Sequence, residues 1–430
     1  MKALELNSDF KTALDLIEKE GKNLFITGRA GTGKSTLLQL FRNATRKKVV
    51  VLAPTGVAAL NVRGQTIHSF FGFPPRLISP REISKRKDRR LYRNMDVLVI
   101  DEISMVRADM LDNIDFFLRL NRDSPLPFGG VQVVFFGDMF QLPPVVATDF
   151  ELEVFSTTYE SAFFFSAQLF RQGFELEMLE LRKVYRQENR HFLRLLDAIR
   201  LNHADQDDLD ELNERYEPDF DSEELYITLC ARNATAERIN QQELSKIDEP
   251  ERKYLASVTG EFNPTQFPAD AALTLKLGAQ VMLLKNDPER RYVNGTIGKI
   301  VALEQESLKI LIEENGLDWK EIEVTPVTWE IIRYKSDPAN TEEIQSEVVG
   351  TFTQFPLRLA WAVTIHKAQG KTFDKVIIDL GTGAFEHGQT YVALSRCRTL
   401  EGIVLRQRLR PQDMLTDLRI VEFYQVLRNG

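Results

Sequence analysis

The chain has 430 residues, 43% of them apolar and 27% charged, with 55 basic residues against 63 acidic ones for a net charge of −8. That balance excludes collagen-like, low-complexity and largely disordered chains, and it leaves room for about two to three domains of ordinary size. Cys230 and Cys397 are the only cysteines, which excludes a disulfide framework, a four-cysteine iron–sulfur site and an all-cysteine zinc site and points to a reducing compartment.

No apolar run approaches the ~18 residues of a membrane helix. The opening MKALELNSDF carries Glu5 and Asp9 where a secretory signal needs an apolar core. A cytoplasmic protein without membrane contact is the expectation. Charge is uneven: Arg76 to Arg93 holds eight basic and two acidic residues, and Asp205 to Glu224 holds eleven acidic residues opposed only by Arg215. Net acidity therefore decides nothing about polyanion binding, which depends on a local groove.

Taken in order, Asn23–Gly28 (NLFITG) reads as a buried strand, followed by a Gly-rich turn and a helix from Ser35 to about Arg46. Val49–Thr55, Asp96–Glu102 and Val131–Asp138 are further strands, and Met110, Ile114, Phe117 and Leu118 mark the apolar face of a helix. The acidic stretch near 205–224 is a surface helix or connection. Strands at Leu225–Cys230, Lys375–Leu380 and Gly402–Arg406 then alternate with helices at Asn233–Leu244, Thr390–Arg396 and Pro411 to about Leu427. Strands alternating with helices imply parallel α/β layers. Residues 281–354 differ, with short β-type runs separated by Asn-Gly and similar turns. The reading is two α/β units with a small all-β insertion inside the second.

GRAGTGKST, Gly28 to Thr36, matches the phosphate-loop pattern in the strand-to-helix context that the pattern requires. Gly28, Gly31, Thr32 and Gly33 let backbone amides approach phosphate oxygens. Lys34 brings positive charge to the β/γ-phosphates, and the Ser35 hydroxyl, followed by Thr36, can ligate Mg²⁺ at the helix start. Asp101 and Glu102 end an apolar strand, where Asp101 can hold Mg²⁺ and Glu102 can polarise the attacking water. Gln141, shortly after the strand-end Asp138, can orient that water or sense the γ-phosphate. These features alone specify an NTPase and leave switch, transporter and motor open. The second unit lacks a phosphate loop but offers Arg186 and Arg396. Arginines that close over ATP from a second lobe and part after hydrolysis are the physics of a translocating motor.

The blocks VLAPTGVAAL (Val51–Leu60), GQTIHSFF (Gly64–Phe71), VLVIDEISM (Val97–Met105), FFGDMFQLPPV (Phe135–Val145), LRKVYRQ (Leu181–Gln187), TIHKAQGKTFDKVIIDL (Thr364–Leu380) and YVALSRC (Tyr391–Cys397) follow one another in this order. Together they resemble superfamily 1B helicases, most of all the petite-integration-frequency (PIF) family of 5′→3′ DNA helicases. Asp109–Gln132 resembles that family's signature segment. The resemblance spans roughly residues 20–425 of the 430 and suggests a bare helicase core of bacterial or phage type.

The resemblance implies two RecA-like parallel-sheet domains, with ATP and Mg²⁺ between them and single-stranded DNA across their tops. The first domain is then 1–63 and 81–185, with a small insertion at 64–80 that could act as a wedge. The second is 186–280 and 355–430, with a barrel-like insertion at 281–354. Lys34, Ser35, Asp101, Glu102, Gln141, Arg186 and Arg396 keep their nucleotide roles, and Gly370 joins the nucleotide and DNA sites. Thr55, His68, Ser69, Thr364, His366 and Lys367 fall where the family touches DNA. Phe70 and Phe71, with Phe73, are offered for base stacking, the basic run after them as a guide for backbone or duplex, and Lys285, Arg290 and Arg291 as insertion-borne cations over the DNA path. The family's usual adenine-reading glutamine is replaced by Phe10, which predicts weaker base selectivity. Unwinding of duplexes, G-quadruplexes and DNA–RNA hybrids, in replication, repair, recombination or telomere-type maintenance, completes the implied picture; the sequence does not give the oligomeric state, and a monomer is the favoured expectation. The rivals are a RecD-like recombination helicase and a non-motor DNA-stimulated ATPase.

Overall fold

The computed structural model describes residues 7–146, 148–187, 189–221, 225–314, 318–336 and 343–429. The first lobe is built on a six-stranded sheet whose spatial order is Gln65–Thr66, Val49–Ala53, Val97–Ile100, Gln132–Phe136, Leu24–Gly28 and Glu177–Leu181. Every neighbouring pair is parallel. The inner strands are buried along almost their whole length, as expected of unbroken apolar runs covered by helices on both faces. The edge strand Glu177–Leu181 was not visible in the sequence, because its Glu177 and Glu180 interrupt the apolar pattern.

The second lobe has a four-stranded parallel sheet in the order Ala362–Thr364, Ile227–Cys230, Val376–Asp379 and Ile403–Leu405. These are the two RecA-like units of the expectation. After the Asn233–Lys246 helix the chain leaves this sheet, and it returns only at Ala362. In between lie antiparallel sheets of two, five and three strands, from Arg252 to Leu359. The β-rich part therefore starts well ahead of residue 281. Its first strands, RKYL and SVTG, are short, polar and largely exposed, so they carry no apolar signal.

The last helix differs from its expected form. Pro411–Asp413 is a single 3₁₀ turn, and the α-helix runs over Leu418–Asn429. The sequence expectation groups it with the second lobe, yet it packs on the first. Phe423 stacks on Phe165 with ring centroids 4.4 Å apart, and Tyr424 meets Phe25 edge-on. One apolar cluster runs from Phe25 and Phe135 in the first sheet to Val376 and Ile378 in the second.

Phe70, Phe71 and Phe73 correct the stacking expectation. All three are buried. Phe71 packs edge-on to Phe70 and Phe117 and stacks on Phe73, and Phe70 abuts Tyr92 and Tyr334. Buried rings packed against other rings gain more from burial than they would on a wet strand path. Phe71→Ala is expected to cost about 3–5 kcal/mol of stability, read by urea denaturation, with single-strand affinity of the folded protein unchanged. A normal unfolding midpoint would return Phe71 to the surface.

Candidate active site

The Gly28–Thr36 loop links the strand Leu24–Gly28 to the helix Lys34–Ala44. Gly33, with φ of 88°, is the N-cap of that helix, a left-handed conformation that side chains rarely adopt. Gly31 meets a second constraint: a Cβ there would lie 2.5 Å from the Cβ of Arg186. The loop thus packs against the segment that carries an arginine from outside it. The Tyr185 amide donates to the Gly31 carbonyl at 2.9 Å and fixes that contact.

The loop opens onto a cleft of about 1430 Å³. Gly31, Thr32, Gly33, Lys34, Ser35 and Thr36 form one wall. Glu102 and Gln141 approach from neighbouring strand ends, Arg186 borders the loop beside Gly31, and Gly370 and Arg396 complete the lining. Phe10 and Tyr185 flank Gly33 at the mouth. Of the nucleotide residues expected from the sequence, Gly28 and Asp101 do not line the cleft. The Gly28 carbonyl instead accepts from Lys34 Nζ at 2.7 Å, and Asp101 is buried beside Glu102.

The cleft's charges are poised for a polyanion. Lys34 also donates to the Arg29 carbonyl at 3.2 Å, a substitute contact for a cation with phosphates to reach. Burial pulls its pKa below the usual lysine range, against the pull of Asp138 and Glu102. Burial, and then Arg396, bring Arg186 down to about 9, and burial brings Arg396 down to about 10. Opposite them, burial and the neighbouring Glu102 push Asp101 up to about 7. Burial likewise raises Glu102, whose backbone φ of 50° is the strained kind common at functional sites. An anionic ligand with a divalent cation relieves both sets at once. The donors suit Mg²⁺: a carboxylate and the exposed Ser35 hydroxyl at a helix start are both oxygen ligands of the kind that ion takes.

Both arginines are held in place by the backbone. Arg186 Nη1 donates to the Ser395 carbonyl at 3.1 Å. Arg396, 1% exposed, donates through Nε to the Val392 carbonyl and through Nη2 to Ser395 Oγ. Gln187 donates to the carbonyls of Ser395 and Cys397, so the two arginine segments are sewn together.

The sequence reading missed several residues. Gln369 donates to Gln141 Oε1 at 3.2 Å and to Glu102 Oε2 at 3.5 Å, and its position beside Gly370 was the available signal. Tyr185 adds a second aromatic wall, and its hydroxyl accepts from Asn7 Nδ2 at 3.1 Å. Phe10 is buried, with only a ring edge at the cleft. Arg200 makes a buried ion pair with Asp138 at 3.0 Å; its partner lies 62 residues away, so no local pattern announces it.

The DNA-contact candidates divide. Thr55 caps the helix Gly56–Asn61 after a first-sheet strand, and Thr364 caps Ile365–Ala368 after a second-sheet strand. The same strand–threonine–helix turn thus stands at corresponding ends of both sheets. Ser69 and Lys367 are exposed, and His68 is half-buried with its pKa lowered chiefly by burial. His366 Nε2 lies 3.2 Å from Glu386. The insertion cations are engaged elsewhere: Arg291 forks onto Asp287 at 2.8 and 3.0 Å, and Lys285 sits over the Trp329 ring and donates to the Thr328 carbonyl. In the basic run, Lys85, Arg89 and Arg93 converge on Asp123, while Arg76 pairs with Glu82 and Arg90 with Asp88. The β-rich part leans over the first-lobe candidates. Val51 N–H donates to the Tyr334 hydroxyl, and Tyr334 N–H to Gln65 Oε1, both at 3.2 Å.

Comparison with known proteins places this arrangement. The family model for PIF1-like helicases matches residues 5–208, and that for the 2B domain of the DNA helicase Pif1 matches residues 263–303. The ATP-dependent DNA helicase Pif1 of Bdellovibrio bacteriovorus is 33% identical over 98% of this chain and 92% of its own length. Human PIF1 is also 33% identical, but the chain spans only 62% of it. Bacteroides Pif1 in complex with ADP-AlF4 has 39% identity and a TM-score of 0.91, covering 99% of this chain and 97% of that one. The same protein bound to single-stranded DNA has a TM-score of 0.68, covering 98% and 96%. The conformation described here is thus closer to that relative's ADP-AlF4 complex than to its single-strand complex. No helix among the described residues is long and apolar enough to cross a membrane. On its phosphate loop, its paired arginines and its near full-length likeness to these relatives, the chain belongs to the Pif1 family of ATP-dependent DNA helicases.

Proposed function

We propose that the chain is a 5′→3′ motor on single-stranded DNA that binds Mg·ATP in the cleft and unwinds duplex ahead of it. The observation that carries this reading is the meeting of Arg186 and Arg396 with Lys34, Glu102 and Gln141 around one cleft. Lys34 and the loop amides hold the phosphates, and Glu102 takes the proton of the attacking water. Gln141 orients that water, and the two arginines meet the charge that develops on the transferred group. Ser35 and Asp101 would hold Mg²⁺, which neutralises phosphate charge when bound. The paired turns at Thr55 and Thr364 give each lobe a grip on the strand, so closing and opening of the cleft shifts one grip past the other. The polarity is taken from the family, as is action on forks, G-quadruplexes and DNA–RNA hybrids. Relatives solved with single-stranded and with forked DNA support the single strand and its junction as ligands.

Strand displacement with ATP on 5′-tailed and 3′-tailed duplexes tests this. The 5′-tailed duplex alone is expected to unwind. Unwinding from 3′ tails only would contradict the polarity, and DNA-stimulated hydrolysis without unwinding of either duplex would leave the non-motor ATPase.

A further inference from the structure

We propose that the Tyr391 hydroxyl is a positioning group for ATP hydrolysis, tying the phosphate loop to the carboxylate that orients Gln141. Ala30 N–H, in the loop wall of the cleft, donates to the Tyr391 oxygen at 3.2 Å, and the hydroxyl donates to Asp138 Oδ2 at 3.4 Å. Gln141 Nε2 donates to the same carboxylate oxygen at 3.3 Å. The other carboxylate oxygen accepts from Arg200 Nη2 at 3.0 Å, and the Arg200 guanidinium lies over the Phe140 ring. From Gln141 the path continues through Gln369 to Glu102. One hydroxyl therefore joins loop, sensor and water-polarising carboxylate.

The placement gives this link its consequence. Tyr391 stands on the helix Gln389–Leu394, just ahead of Arg396. When that helix seats, the arginine and the Gln141 carboxylate partner are set together. Tyr391, Asp138 and Arg200 are each no more than 3% exposed, so water cannot replace the contacts and the geometry is stiff. Arg200 and Lys34 hold Asp138 ionised against its burial, and an ionised carboxylate is the acceptor that both the tyrosine and the glutamine need. The inference rests on the cleft roles given above for Gln141 and Arg396.

Tyr391→Phe removes one oxygen and keeps the ring. With saturating single-stranded DNA, its kcat for ATP is expected to fall about tenfold to a hundredfold, with KM within about twofold. A hydroxyl that only fills a buried slot would lower the melting temperature and leave the kcat of folded protein alone. The double variant with Gln141→Ala separates the route: if Tyr391 acts through Gln141, Tyr391→Phe costs little more in that background. Unchanged kcat, a loss that falls on KM instead, or independent losses that multiply in the double variant would each overturn the inference. Wild-type chain without DNA-stimulated hydrolysis would overturn the proposed function as well, whereas an active wild type beside an equally active Tyr391→Phe overturns this inference alone.

Discussion

Lys34→Ala is expected to lower ATP turnover by about 10²–10³-fold, while single-strand affinity stays within about twofold of wild type. Lys34 lies in the phosphate wall of the cleft, with its ammonium turned back onto the Gly28 and Arg29 carbonyls. Burial already works against its charge, so a phosphate that restores a counter-charge gains a desolvated and therefore strong partner. Alanine removes that partner and leaves the strand-end turns of Thr55 and Thr364 intact. Phosphate release and fluorescence anisotropy of a labelled oligonucleotide read the two halves of this expectation. Residual turnover near the wild-type rate would take Lys34 out of the chemistry.

Arg396→Ala is expected to bind ATP yet turn over about 10³–10⁵-fold more slowly. Arg396 is among the largest fully buried side chains, and its hydrogen bonds to Val392 and Ser395 hold the guanidinium at the cleft. Alanine also leaves a cavity and unpaired acceptors, so stability falls too. Arg396→Lys separates the effects, because it keeps the charge but loses the planar fork. Turnover of the lysine variant should stay well below wild type, with nucleotide affinity preserved. Near-normal turnover in both variants would remove Arg396 from the trigger role.

Legibility in the sequence followed physical locality. The inner strands of both sheets were readable because parallel strands buried on both faces need unbroken apolar runs, as in Val97–Ile100 and Val376–Asp379. The phosphate loop was readable because its chemistry lies within nine consecutive residues, Gly28 to Thr36. The edge strand Glu177–Leu181 and the exposed strands at Arg252–Leu255 and Ser257–Gly260 were not, since their fit depends on neighbours distant in the chain. Phe70 and Phe71 show the reverse error. An aromatic pair beside prolines looks like a stacking platform until Phe117 and Tyr92, from other segments, enclose it. Arg200 and Tyr391 were invisible as site residues for the same reason: their meaning is Asp138, which only folding brings near.

The central claim is that one nucleotide is shared, cradled by the phosphate loop and triggered from across the cleft. The most direct measurement is a structure of this chain with ADP and aluminium fluoride as a mimic of the transferred phosphoryl group. The account predicts guanidinium nitrogens of both Arg186 and Arg396 at about 3 Å from the fluoride ligands, with Gln141 on the water in line. Both side chains turned away from the mimic, with the loop alone holding it, would contradict the account.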